Sequence, residues 1–372
     1  MKKFVLLSLT IFTLGSLSAC KNAETPKKTT DPVRAHRTSA KAATTPAIKM
    51  SNDASAQTNL TNTLNQIHFS GTAMIVRHGK IIAHQSNGYA HASTMQSTNL
   101  HTMYEIDSIQ KASTAILIMK QIQAGKLALN TTLNTFYPQI RGSEHITIRQ
   151  MLDMTSGLAV TKFKQPAYHS DFQVVQQFIA HIHYTKWNQW NYQPINYVLL
   201  CGILESITGK TYQQLFTANI AQPLGLTETR FAYLPQTATM AQGYYWDKEH
   251  AQVNTQKPWN ATSTMEHYEL GTGQIFASVT DLYKLESAIV SGRLIGRRAS
   301  DVLHWPGSRS TYAGGLYQRF GSMRSQGYGY GYEGFVRITP DGQNAVIMLA
   351  NVQPNTQRFL KAADQLALVY AK

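Results

Sequence analysis

Ser108 and Lys111 stand three residues apart in Asp107-Ser108-Ile109-Gln110-Lys111. On a helix that spacing places both side chains on one face, so the amine can hydrogen-bond the hydroxyl. A serine alone is a poor nucleophile, but a desolvated lysine can take its proton if burial favours the neutral amine. The chemistry open to such a pair is acyl transfer through a serine ester. The pattern itself is short and recurs from Ser18 to Lys21. Standing alone, a serine and a lysine so placed are more often a helix cap and a solvated charge, so the surrounding chain must decide.

The pair opens an apolar segment, residues 108–124, in which Ile109, Ala112, Ala115, Ile116, Met119 and Ile122 form one stripe, widened by Leu117 and Ile118. The spacing predicts a helix that ends at Gly125 and is buried on most sides. A polar pair at its start must then find partners. Upstream, Leu60, Leu64 and Ile67 predict a first amphipathic helix, and residues 71–76 and 80–84, split by Arg77-His78-Gly79, predict a hairpin. Downstream, residues 334–339 and 344–350 flank Pro340-Asp341-Gly342 as a second hairpin. Phe359, Ala363, Leu366 and Tyr370 mark a C-terminal helix opened by Asn355. Strands at both ends with helices between them predict an α+β fold, one antiparallel sheet closed by the two termini with a helical subdomain inserted.

Further blocks carry a resemblance. Tyr104, Ser108, Lys111 and Gly125-Lys126-Leu127 are followed by Ile146-Thr147-Ile148-Arg149-Gln150-Met151-Leu152 and Thr155-Ser156-Gly157-Leu158. Tyr197-Val198-Leu199-Leu200, Thr208-Gly209-Lys210, Pro223-Leu224-Gly225-Leu226, Gly271-Thr272-Gly273 and Asp281-Leu282 come next. In this order, over nearly all of residues 56–372, the chain resembles the serine hydrolases of the class C β-lactamase and penicillin-binding-protein group. The resemblance implies a β-lactamase/transpeptidase-like fold, Ser108 as nucleophile and Lys111 as its base.

Two other family motifs transfer with changes. The family's Tyr-x-Asn falls on Tyr192-Gln193-Pro194, with Tyr197 at the usual spacing of the following aromatic. The resemblance makes Tyr192 a proton relay to the leaving group and the deacylating water, and Pro194 removes an amide that would bond the substrate. The third motif, Lys-Thr-Gly or His-x-Gly, counted back from Gly334-Phe335, falls on Tyr328-Gly329. The basic residue is absent there, and Arg324 is the nearest cation that could replace it from a shifted register. The family would place one oxyanion donor near Gly331 and the other at Ser108. The alternative for Tyr328, Gly329 and Gly331 is a glycine-aromatic strand that only packs.

Several patterns carry no function. Gly329-Tyr330-Gly331-Tyr332-Glu333-Gly334 satisfies a dinucleotide glycine pattern, but no helix is predicted after it. Gly209-Lys210-Thr211 ends like a phosphate loop with the wrong preceding spacing, and no Gly-x-Ser-x-Gly elbow exists. His181 and His183 lack thiol or carboxylate companions, so no metal or cofactor is called for.

The 372 residues include two cysteines, too few for a disulfide framework, and Cys201 sits in an apolar run as a small core residue. Lys2 and Lys3 precede an apolar run, residues 4–14, and Leu17-Ser18-Ala19-Cys20 follows. The run is too short to span a membrane and reads as a signal peptide, residues 1–20. It looks like a bacterial lipoprotein signal with Cys20 acylated; a soluble secreted protein with an incidental cysteine is the alternative. Residues 21–55 contain no aromatic and read as a disordered basic tether carrying +4, which with the two signal lysines leaves +8 of the net +14 on the domain, residues 56–372.

A basic domain outside a membrane meets anionic wall polymers and lipids, and the chain has no zinc-finger spacing or basic-aromatic repeat for nucleic acid. The expected protein is therefore a lipid-anchored, extracytoplasmic serine acyl-enzyme hydrolase. The family's substrates include D-alanyl peptides of the wall, β-lactams, and esters such as the D-alanyl esters of teichoic acid. The altered third motif tilts the reading towards an ester or wall polymer. The alternative is a catalytically weak wall-binding or penicillin-sensing protein that keeps the fold.

Overall fold

The computed structural model describes residues 48–307, 310–319 and 321–372, so the expected signal segment with Cys20 and residues 21–47 lie outside the described residues. Helix α1 (Ala54–Gln66) begins where the Asp53 side chain accepts from Ala56 N at 3.0 Å, and it buries Ala56, Leu60 and Leu64. The chain joins the domain slightly before the expected boundary at 55. Ser51 N and Asp53 N donate to Ile81 O and Ile82 O at 2.8 and 3.0 Å, and Met50 bridges Ile81. Backbone groups that pair with an open sheet edge are ordered by it, whatever the composition of the segment.

Strands β1 (Gly71–Arg77) and β2 (Lys80–Asn87) form the first expected hairpin. Late in the chain come β3 (Tyr312–Ala313), β4 (Leu316–Arg319), β5 (Ser322–Gly329), β6 (Tyr332–Ile338) and β7 (Ala345–Ala350). They complete one antiparallel sheet in the order β3-β4-β5-β6-β7-β1-β2. The two ends of the chain meet where β1 pairs β7, from Gly71 opposite Ala350 to Val76 opposite Ala345.

Both faces of these central strands are covered, which is why β1 and β7 read as nearly unbroken apolar runs rather than alternating ones. On one face Ala73, Ile75, Val346 and Met348 pack against Leu60 and Leu64 of α1 and against Phe359, Ala363 and Leu366 of the C-terminal helix α5 (Thr356–Tyr370). Asn355 caps α5 by accepting from Arg358 N, as its sequence position predicts. On the other face Met74, Val76, Ile347 and Leu349 join the large core. That core includes helices α2 (Lys111–Gln123), α3 (Ile195–Thr208) and α4 (Val279–Val290). Each fully buried Val, Leu or Ile side chain contributes ~1.5 to 3 kcal/mol, so these shared faces dominate the energetics that hold the inserted helices on the sheet.

The helix expected over residues 108–124 is two pieces. A 3₁₀ turn, Asp107–Gln110, precedes α2, and Asp107 has φ 44. The left-handed residue bends the short strand Tyr104–Glu105 into the turn, so Ser108 lies on the tight entry to the helix rather than within it. Gly125, with φ 70, ends the segment as expected.

Candidate active site

Lys111 opens α2 and is 1% exposed. Its Nζ donates to Ser108 Oγ at 2.9 Å and to Thr272 O at 3.1 Å. The second acceptor is itself fixed. Thr114 Oγ1 donates to Gly271 O at 2.8 Å, Gln274 N donates to Gln110 Oε1 at 2.6 Å, and Thr272 Oγ1 donates to Glu269 Oε2 at 2.8 Å. Gly271 has φ 65, and a Cβ there would lie 1.9 Å from Cys201 Sγ, so the loop fits against α3 only as glycine. A lysine side chain is costly to bury unpaired, and these acceptors hold its amine on the serine hydroxyl. Ser156, the other serine of the family-like blocks, is 2% exposed and accepts from Leu158 N at 3.1 Å.

Tyr192 reaches the pair from the residues preceding α3. Its ring centroid lies 5.3 Å from Lys111 Nζ, and it meets Tyr312 edge to face at 5.6 Å. Pro194, in place of the family asparagine, has φ −54 and stands at the residue before α3, with no side-chain capping bond. A nearby amide, Asn196, is fully buried, and its Nδ2 donates to Gln193 O at 3.0 Å.

The third side is β5. Its ladder with β4 stops at the Tyr317–Arg324 pair, so on that edge residues 325–329 are left beside the Ser108 turn. A Cβ on Gly327 would sit 2.2 Å from Ile106 O, and one on Gly329 would sit 2.3 Å from Asp107 Oδ1. Gly315, in the β3–β4 turn with φ 93, approaches α2 as closely: a Cβ there would sit 2.3 Å from Ala112 N. Glycines at these contacts let two stretches of backbone touch the turn that carries the nucleophile.

These elements enclose a cleft of about 300 Å³ lined by Ser108, Tyr192, Tyr312, Gly315, Tyr317, Gln326, Gly327 and Tyr328. Ser108, Tyr192 and Tyr328 thus share one cleft, and Lys111 lies beneath its serine. Gly329 packs under Asp107. Gly331 is elsewhere: it has φ 88 in the β5–β6 turn and its Cβ would meet Tyr244 N at 3.0 Å, so it does not line the cleft. Gly327 and Gly329 both approach the Ser108 turn closely, the first at Ile106 O and the second at Asp107 Oδ1. Arg324 does not line the cleft either; it pairs with Asp364 at 3.7 Å and stacks on Tyr317 at 5.0 Å. The lining residues include no lysine, arginine or histidine.

Tyr312, Tyr317 and Gln326 were not singled out by the sequence. The pair Gly314-Gly315, with φ 55 and 93 between two aromatic-bearing stretches, is the signal that marks a tight hairpin there. The dinucleotide-like glycine run is a strand, turn and strand, and Gly209 ends α3. Among the described residues, no group of three His, Cys, Asp or Glu side chains is arranged to hold a metal ion.

Acidic groups crowd behind the nucleophile. Burial first, then Glu269 and Glu266, push the Asp107 carboxyl well above the usual range, with Lys111 opposing. Burial first, then Asp107 and Glu266, do the same to Glu105.

A family model of beta-lactamases matches residues 56–371. The chain belongs to the β-lactamase family. Within that family it is 29% identical over 305 residues to the protein named penicillin-binding protein PbpX of Bacillus subtilis (strain 168), covering 80% of this chain and 74% of that one. It is 25% identical over 299 residues to the teichoic acid D-alanine hydrolase of Staphylococcus aureus, covering 79% and 73% of the two chains. The crystal structure of FmtA from Staphylococcus aureus superposes with a TM-score of 0.74 at 22% identity, covering 88% of this chain and 94% of that one. The fold expected from the sequence is therefore the observed one, and the chain is a serine hydrolase of the β-lactamase and penicillin-binding-protein family.

Proposed function

We propose that the protein is an extracytoplasmic, lipid-anchored acyl-enzyme hydrolase that prefers uncharged esters, with the D-alanyl ester of a wall polymer as the substrate class. The observation that carries the reaction is the 2.9 Å bond between Lys111 Nζ and Ser108 Oγ at a buried lysine. In its neutral form Lys111 takes the hydroxyl proton as Ser108 Oγ bonds to the acyl carbon. The developing oxyanion is met by the Ser108 N–H and by a backbone N–H from the open edge of β5 at residues 326–328. Tyr192, beside both groups, returns the proton to the departing alcohol, and water then hydrolyses the acyl-serine with the proton flow reversed.

Support for an ester comes from the cleft wall. Its phenols and amide offer hydrogen bonds, and its lining supplies no fixed positive charge for a substrate carboxylate. The named activity of the staphylococcal relative is in the same substrate class. A fluorophosphonate should label the protein stoichiometrically on the peptide containing Ser108, and the unlabelled protein should turn over small esters. An adduct on another serine would overturn the assignment. Labelling without turnover would favour the second reading, a penicillin-binding or wall-binding sensor, for which the loss of the motif asparagine at Pro194 is the motivating observation.

A further inference from the structure

A second cavity, of about 560 Å³, shares no lining residue with the serine cleft. Its wall includes Glu105 and Glu266 and the aromatic residues Trp259, Phe276, Tyr330 and Tyr332. The size is that of a small-molecule site.

The two carboxyls set its chemistry. Glu105 is 1% exposed and Glu266 is 5% exposed. Among the described residues no other hydrogen-bond donor reaches either oxygen of Glu105 or Oε2 of Glu266; the two carboxyls meet each other, with Asp107 and Glu269 also acting on Glu105 and Glu269 on Glu266. Such a pair can share one proton and then keeps one negative charge, as two like charges at contact cannot both persist in a dry site. No lysine or arginine lines the cavity to compensate it; the wall's other titratable side chains are His91, Tyr233 and the two tyrosines already named. A buried charge without a partner is strongly disfavoured, and the whole chain is basic, so the acidity is specified locally.

The geometry points to a binding site for a small organic ammonium ion, held between the Glu105–Glu266 pair and the aromatic wall. Aromatic faces attract substituted ammonium groups, and they do so best when water is excluded. A hard metal cation is a poor fit, because it demands six or more oxygen ligands where this wall offers mostly ring carbon. The site does not rest on the catalytic reading.

Isothermal titration of the full chain carrying Ser108→Ala, at low ionic strength and pH 8, would test it, with tetramethylammonium chloride as the probe. Burial raises the Glu266 carboxyl to about 7, so the pair is charged at that pH. Saturable one-to-one binding with a dissociation constant of about 10 mM or tighter is expected, because desolvated cation–π contact adds to the charge attraction. Glu266→Gln should weaken it about tenfold or more. The doubly substituted Glu105→Gln, Glu266→Gln chain should show no binding while keeping the wild-type circular dichroism. If the double variant does not fold, Trp259→Leu, at the cavity wall, should weaken the same isotherm. No saturable heat with the wild-type cavity, equal heat from potassium chloride, or binding that survives Glu266→Gln unchanged would each overturn the assignment.

Discussion

Replacing Lys111 with methionine keeps the buried stem and deletes only the amine that touches Ser108 Oγ and Thr272 O. Acylation by a fluorophosphonate or an ester should slow by ~10² to 10⁴, the range for a lost acid-base group. Thr272 O loses its partner as well, so stability should fall by ~1 to 3 kcal/mol without loss of the fold, which urea denaturation would read. At the mouth of the cleft, Tyr328 is 57% exposed and offers one neutral hydrogen bond. Tyr328→Lys should raise the efficiency of penicillin acylation relative to small esters about tenfold, the difference between a charge-assisted and a neutral hydrogen bond. If the unaltered protein already acylates with penicillins faster than with small esters at equal concentration, the ester preference fails. Ser108 and Lys111 were legible because their spacing at the start of an apolar stripe stands among ordered family-like blocks, which favour a catalytic pair over a helix cap. The third motif was not: in Gly327-Tyr328-Gly329-Tyr330-Gly331-Tyr332 every second residue is a glycine, so a slip of two leaves the pattern unchanged. Only tertiary contact with Ile106 and Asp107 distinguishes Gly327 and Gly329 from Gly331.

At the scale of elements, the close approach of β5 to the Ser108 turn can be disturbed by a single methyl group. Gly327→Ala places a carbon 2.2 Å from Ile106 O, so strand or turn must move apart. A displacement of about 1 Å at a reacting centre can cost about 10² in rate. The expected outcome is a loss of that order in ester turnover, with labelling of Ser108 slowed in parallel and far-ultraviolet circular dichroism retained. Wild-type turnover in that variant would show that β5 does not position the reaction. The hairpins and the two terminal helices were readable in advance because continuous apolar runs and Asn355 carry their own local signals. Strands β3 and β4, of two and four residues, fall below the length at which periodicity speaks, and the tyrosines they bring to the cleft were missed for that reason.

For the whole molecule, the balance of buried ionisable groups sets how stability follows pH. Burial raises the Glu286 carboxyl on α4 to about 8. The native state then holds a proton that the unfolded chain releases in the ordinary carboxylate range, so this contribution is complete at low pH and is lost as pH rises towards 8. Glu286→Gln should flatten the decline in urea midpoint between pH 5 and pH 8.5, since each tenfold difference in proton affinity between the folded and unfolded chain is worth ~1.4 kcal/mol. His304 has the opposite sign: burial lowers it to about 4, so its contribution is present above the ordinary imidazole value and disappears as pH falls through about 4. An unchanged alkaline slope in Glu286→Gln would assign the pH response to other groups. The proposed anchor is tested separately, since Cys20→Ala should move the protein from the membrane fraction to the soluble one.

The place where the chain enters the domain also fixes a direction. Met50 bridges Ile81 on β2, the strand at one margin of the sheet, whereas the cleft is built from β3, β4 and β5 at the other margin. From β2 to β5 is four strand spacings, about 19 Å at ~4.8 Å each. The described chain thus enters the domain along the margin of the sheet remote from the serine. A bulky group attached just ahead of Met50 would therefore leave the mouth of the serine cleft free.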